Sequence, residues 1–244
     1  MLNLKICHLY PDTLNLYGDS GNILCLKKRM EWRGLSAEVT GVPLGERFNP
    51  NDFDLFFIGG GQDFEQSVLL RDLEHGKKQD IINAVEDEKV FLAICGGYQL
   101  LGTHYTNWQG KQLDFIGAID VHTIGREERK VGDFIFKLDD IDGGHEVIGF
   151  ENHSGQTYLG EKVRPFGTII LGHGNNDEDK TEGARYKNVF ATYSHGPLLP
   201  KNPKLCDHIL KTALHRKHPN ISLEEIDDTF ENAAYDYMKA RLIK

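Results

Sequence analysis

Apolar and polar positions follow two different rhythms in the two halves of the chain. Near the start, LNLKICHLY alternates apolar and polar residues and then meets Pro11 and Asp12, which predicts a first strand ending in a loop. From Asp19 or Ser20, Ile23, Leu24, Leu26 and Met30 recur at three- and four-residue spacing up to Gly34, the signature of a helix with a glycine stop. LSAEVTGV predicts a short second strand. FDLFFIGGG, Phe53 to Gly61, is a continuous apolar run closed by glycines, as expected of a strand buried on both faces of a parallel sheet. A helix is expected from about Phe64 to Glu86. KVFLAI, Lys89 to Ile94, is a further apolar strand that runs into Cys95-Gly96-Gly97 and a helical stretch, YQLLGTHY.

Beyond Trp108 the rhythm changes to short alternating strands, FIGAIDVHT, KVGDFIFKL, EVIGFENH, FGTIIL and NVFATYSH, separated by Gly, Asn and Asp. Two helices are expected at the end, roughly Pro203 to Arg216 and Leu223 to Leu242. No internal repeat, low-complexity tract or linker rich in Pro, Gly or Ser interrupts the pattern, so residues 1–244 are read as a single α/β domain. Its sheet should be mostly parallel in the first half, with added antiparallel strands in the second.

Composition adds exclusions. Twenty-eight Lys and Arg against 37 Asp and Glu give a net charge of −9, an acidic balance unsuited to a nucleic-acid backbone. No apolar run approaches the ~18 residues of a membrane span, and the start has no basic and then apolar leader, so a cytoplasmic location is expected. Cys7, Cys25, Cys95 and Cys206 are far apart with no C-x-x-C pair, which predicts free thiols and no zinc site. The acidic stretch GNNDEDKTEG, Gly174 to Gly183, lacks the spacing of a calcium loop and reads as a solvated loop. No metal is expected.

Chemistry concentrates at predicted strand ends. Cys95 stands where a buried strand meets a helix N-terminus, and the two glycines after it permit a sharp, strained turn. A helix N-terminus and a nearby imidazolium both favour a thiolate, the nucleophilic form. His195, in FATYSHGPLLP, ends another predicted strand; strands of a parallel sheet share one rim at their carboxyl ends, so His195 and Cys95 can meet there. His8, His153 and His173 also lie near strand ends. Gly59-Gly60-Gly61, followed by Gln62 and Asp63, can turn backbone N–H groups toward an anion, and the N–H of Gly96 can complete an oxyanion hole. No phosphate loop or dinucleotide fingerprint occurs, so ATP is not expected to bind this chain.

FLAICGGYQ, Phe91 to Gln99, resembles the nucleophile segment of class I, triad-type glutamine amidotransferases, and the glycine triplet is similar to their oxyanion loop. GFENHSG, Gly149 to Gly155, and ATYSHGP, Ala191 to Pro197, resemble the cobyric-acid-synthase branch. Within that branch LNLYGDSGN, GNNDEDK, YKN and HGPLLPKN are similar to glutaminase subunits that work with a Mur-ligase-like subunit, MurT, and the likeness covers essentially the whole chain. It implies a three-layer, flavodoxin-like fold. It further implies that Cys95 attacks the amide of L-glutamine, that His195 moves the proton, and that Gly60, Gly61 and Gly96 hold the oxyanion. Gln99, Glu151, Asn152, His153 and Arg129 would hold the substrate, Arg129 matching an R-x-x-G-D segment. The chain departs from the class at Ala93, where the pattern has glycine, and at Gly196-Pro197, where triads continue H-x-E. The third member must come from elsewhere, and Asp19 and Glu151 are the candidates. The resemblance places ATP, Mg and the acceptor in the partner, with lipid II reached through it. A cobyric-acid-type glutaminase and a non-catalytic regulatory subunit of the same fold remain alternatives.

Overall fold

A computed structural model describes residues 2–61, 63–141 and 144–243, with side chains outside 63–67. Gln62 and the side chain of Asp63, singled out beside the glycine triplet, lie outside the described residues.

The first sheet contains β1 (Asn3–Leu9), β2 (Ser36–Val42), β3 (Leu55–Ile58), β4 (Val90–Ile94), β11 (Ala184–Tyr186) and β12 (Val189–Thr192), in the order β11-β12-β4-β3-β1-β2. All neighbours run parallel except β11, which is antiparallel to β12. Every residue of β3, β4 and β12 is buried, as continuous apolar strands at the centre of a covered parallel sheet must be. The helices are α1 (Ser20–Glu31), α2 (Asp63–Asp72), α3 (Lys78–Glu86), α4 (Gly96–Leu101), α5 (Leu198–Lys201), α6 (Pro203–His215) and α7 (Thr229–Leu242).

The second sheet holds β5 (His104–Thr106), β6 (Gln112–Asp114), β7 (Val121–Leu138), β8 (His145–Leu159), β9 (Gly167–Leu171) and β10 (Thr181–Glu182). Its order is β10-β9-β7-β5-β6, with β8 also paired to β7. The His195 amide donates to the carbonyl of Phe150 at 2.8 Å, joining the end of the first sheet to β8. The likeness of strand rims anticipated from sequence is therefore literal: Gly60, Cys95 and His195 follow β3, β4 and β12 at one edge.

Four expected elements differ. The helix expected from about Phe64 to Glu86 is broken at Leu73–Lys77, where Gly76 takes φ +107 and a wider turn separates α2 from α3. YQLLGTHY does not stay helical: α4 stops at Leu101, and His104–Thr106 pairs with β6 and β7. FIGAIDVHT and KVGDFIFKL are not separate strands; β7 runs through the charged REERK segment and absorbs it in an irregularity between Gly125 and Lys130. The last helix begins at Thr229 rather than Leu223. Buried Arg29 explains this, since its guanidinium binds Asp207 and Asp228 at 2.6–2.8 Å and the chain before α7 is drawn across it. Arg33 reinforces the arrangement by donating to the Glu224 carbonyl at 2.6 Å.

Candidate active site

Cys95 sits on the turn between β4 and α4 with φ 46 and ψ −101, a conformation costly for a residue with a side chain. Two hydrogen bonds hold it there: its amide donates to the Thr192 carbonyl at 2.8 Å, and its carbonyl accepts from the Gln99 amide at 2.9 Å. The glycine at 97 is forced, because a Cβ there would stand 2.6 Å from the Ile58 carbonyl oxygen and 2.9 Å from that of Gly59. Removing side chains from the first turn of α4 lets the helix start directly against the end of β3, where the Gly97 amide donates to the Gly59 carbonyl at 3.1 Å, and puts the positive end of the helix at the cysteine. Gly96 lies against Gly61.

His195 is fully buried, and so is Asp19 at the start of α1. The imidazole Nδ1 lies 3.1 Å from Oδ2 and 3.3 Å from Oδ1 of Asp19. The opposite nitrogen, Nε2, makes no hydrogen bond among the described residues. Burial penalises an imidazolium, but the Cys95 sulfur and the Asp19 carboxylate favour it, and together they raise the His195 pKa from 6.5 to about 10. The sulfur and the carboxylate thus both favour the charged form of the imidazole.

Asp19 also accepts the Gly60 amide at 2.8 Å. This corrects one expectation: the N–H of Gly60 is spent on the carboxylate and is not available to an oxyanion. The position demands glycine for a second reason, since a Cβ there would lie 2.4 Å from Cε1 of His195. Gly61 does face the cavity, and Gly96 packs against it.

Cys95 and His195 open into a cavity of about 380 Å3 lined also by Leu16, Tyr17, Gly61, Gln99, Arg129, Asn152, His153, Ser154 and Gly155. Four of the five residues named from sequence on β7, β8 and α4 line it. Gln99 donates to Tyr193 Oη at 3.1 Å, and that hydroxyl shares a hydrogen bond with Thr157 at 2.6 Å. Arg129 donates to Asn152 Oδ1 through Nε at 3.0 Å and Nη2 at 2.8 Å. His153 stacks on the Tyr193 ring at 3.7 Å.

Glu151 is the exception. Its side chain is buried beneath the cavity, accepting from the His173 ring at 2.6 Å and the Gly174 amide at 3.0 Å, with His153 Nε2 at 3.6 Å. Burial alone would raise its pKa, yet these His153 and His173 contacts hold it below the usual range. It neither lines the cavity nor reaches His195, so of the two carboxylates considered for the third position Asp19 has the geometry. The Glu151 carboxylate is drawn to the His173–Gly174 turn by these hydrogen bonds, while the neighbouring Asn152 reaches Arg129 at the cavity.

Tyr17, Ser154 and Gly155 were not singled out by sequence reasoning. The signal for Tyr17 was present, since it lies in LNLYGDSGN two residues before Asp19, but its left-handed backbone, φ 55, is visible only in the structure.

A parallel α/β sheet that puts a strained cysteine after a central strand, with a histidine at the end of the next strand, is the fold of glutamine amidotransferases. The chain is similar to the PurLQS structure from Thermotoga maritima, with a TM-score of 0.57 at 14% identity, covering 89% of this chain and 98% of that one. It belongs to the family of the CobB/CobQ-like glutamine amidotransferase domain, which it matches over residues 5–203. Among relatives, it is 42% identical to the GatD subunit of the glutamine-hydrolysing lipid II isoglutaminyl synthase of Streptococcus pneumoniae, over 92% of this chain and 86% of that protein. It is 40% identical to the subunit of the same name from Staphylococcus aureus, over 95% of this chain and 93% of that protein.

Proposed function

We propose that this chain is the glutaminase subunit of a lipid II isoglutaminyl synthase. The observation that carries the reading is the buried Asp19–His195 pair at 3.1 Å, opening with Cys95 into one cavity, in a chain so similar to two GatD subunits along most of its length. Cys95 attacks the side-chain amide carbon of L-glutamine as the thiolate, while His195 carries the proton. The tetrahedral oxyanion is held by backbone N–H groups of Gly61 and Gly96, and collapse expels ammonia with the proton from His195. Water then adds to the γ-glutamyl thioester, giving its proton to His195, and glutamate leaves as the thiolate reforms. Asp19 keeps the imidazole in the orientation and tautomer that the proton transfers require. Arg129, with Asn152, His153 and Gln99, holds the amino-acid end of the substrate.

Ammonia is mostly ammonium in water at pH 7 and is then no nucleophile, so the hydrolysis must be coupled to an acceptor. The partner in this reading is the Mur-ligase-like subunit MurT. It would bind ATP and Mg and amidate the D-glutamate of the lipid II stem peptide to D-isoglutamine, a step of peptidoglycan biosynthesis. This chain would then need no cofactor of its own. No helix among the described residues is long and apolar enough to cross a membrane. In the proposed setting the subunit acts in the cytoplasm, at the inner membrane face, through its partner.

A cobyric-acid-type role is disfavoured by the extent of identity to the GatD subunits, and a purely regulatory role by the complete cysteine, histidine and carboxylate set. The test is ammonia release from L-glutamine with and without the Mur-ligase-like partner, beside Cys95→Ser. Release that vanishes in the variant, with ammonia-driven amidation of lipid II retained, is the expected result. Equal glutamine-dependent amidation by Cys95→Ser would overturn the reading.

A further inference from the structure

Tyr17 sits in a single 3-10 turn, Leu16–Gly18, yet it touches both halves of the cavity. Its ring meets the His195 imidazole edge-on, with centroids 5.0 Å apart, and it is nearly half exposed. Its hydroxyl accepts a hydrogen bond from Asn152 Nδ2 at 2.5 Å. The other end of the same amide, Oδ1, accepts twice from the Arg129 guanidinium. An amide has one donor end and one acceptor end, so a hydroxyl that engages the NH2 group fixes which end faces the arginine. Without it, Asn152 can turn over and present NH2 to a guanidinium that can only donate.

We propose that Tyr17 is a positioning residue for glutamine recognition, acting through the chain Tyr17–Asn152–Arg129 across the cavity mouth. The inference rests on the proposed glutaminase reading. Arg129 has no carboxylate partner among its hydrogen bonds to the described residues, and its planar fork is suited to the α-carboxylate of an amino acid. Asn152 accepts from Nε and Nη2 through Oδ1 and from Nη2 again through its backbone carbonyl at 3.1 Å, which sets the plane of the guanidinium and leaves Nη1 without a hydrogen bond to the described residues. Recognition of an α-carboxylate then depends on a phenol whose own hydrogen bond is to Asn152 and not to Arg129. Tyr17 also lies two residues from Asp19 in one short loop, pinned where the Leu16 amide donates to the Gly60 carbonyl at 3.1 Å. The loop thus carries a group that orients the nucleophile's histidine and another that orients the arginine.

The experiment compares wild type and Tyr17→Phe, each with the partner subunit, in two assays. Losing one hydrogen bond in a charged chain should raise KM for L-glutamine about ten-fold, with kcat changed less than about two-fold because the ring remains against His195. The second assay is alkylation of Cys95 by iodoacetamide, a neutral reagent with no carboxylate, whose rate should match wild type. Tyr17→Phe and Asn152→Ala should be non-additive in KM, since both break the same chain. An unchanged KM, additive effects, or a loss of alkylation equal to the loss of turnover would each overturn the proposal. A wild-type enzyme that releases no ammonia at all would instead overturn the glutaminase reading on which it rests.

Discussion

Asp19→Asn tests how the site works more directly than removal of the nucleophile. The perturbation is nearly isosteric: Asn keeps the volume and an oxygen able to accept from the Gly60 amide, but it removes the charge facing Nδ1 of His195. Both partners have no exposed surface, so water cannot replace the lost interaction. Breaking a buried, hydrogen-bonded pair by neutralising one partner costs about 3–5 kcal/mol. Only the fraction that differs between the resting state and the transition state appears in kcat. Because the resting pair is already charged on His195, part of the cost falls on the ground state, and a loss of about 10^2–10^4 in kcat is expected, the upper end being that of the equivalent change in a serine protease triad. KM should move little, since Asp19 does not line the cavity. The limb of the pH profile belonging to His195 should shift to lower pH, because one of the two groups raising its pKa toward about 10 is gone. The assay is steady-state ammonia release between pH 6 and 10 with the partner present. A kcat within about three-fold of wild type and an unmoved profile would refute the reasoning and make the Asp19–His195 bond merely structural.

Two further substitutions probe the surroundings. Gly60→Ala puts a methyl 2.4 Å from His195 Cε1 and 3.0 Å from Asp19 Oδ2. Overpacking of this kind costs about 1–3 kcal/mol of stability, so kcat should fall far more than the melting temperature, and a wild-type kcat would show that the loop relaxes without moving the imidazole. Glu182 is buried with Oε1 accepting from Thr192 Oγ1 at 2.5 Å and the Tyr193 amide at 2.9 Å, and burial raises its pKa to about 7. Its folded value lies above its unfolded one, so its contribution to stability is full below about pH 4.5 and is lost as pH rises through about 7. Glu182→Gln should flatten the decline in melting temperature across that window relative to wild type; parallel curves for the two proteins would contradict the assignment.

Much of the site was legible because its key turns are local. A fully apolar strand ending in Cys-Gly-Gly determines a tight strand-to-helix connection within a few residues, and the same holds for the glycine triplet after β3 and for His195 before Gly196-Pro197. The roles of individual atoms were less legible. Gly60 was expected to present its N–H to an oxyanion, but that donor is consumed by Asp19, 41 residues away in sequence. Asp19 and Glu151 were both candidates for the third position in the sequence, with Glu151 also expected to hold the substrate, and no local signal fixed which carboxylate meets His195.

By itself, then, the sequence determined the alternation of strands and helices, the parallel core, the strained cysteine and the family. Periodicity, turn chemistry and short motifs are written in contacts between residues near one another along the chain. The tertiary structure alone decided which carboxylate meets His195, which side chains of β7 and β8 face the cavity, and that a phenol in the first loop bridges to Arg129 through Asn152. Those outcomes depend on the pairing of β7 with β8 across an irregular stretch and on the approach of α1 to the residues after β12, as in the Leu199 amide donating to Asn22 at 2.8 Å. Burial also placed the start of α7, because Arg29 could leave water only with Asp207 and Asp228 beside it, and no local helix preference outweighs an unpaired buried charge.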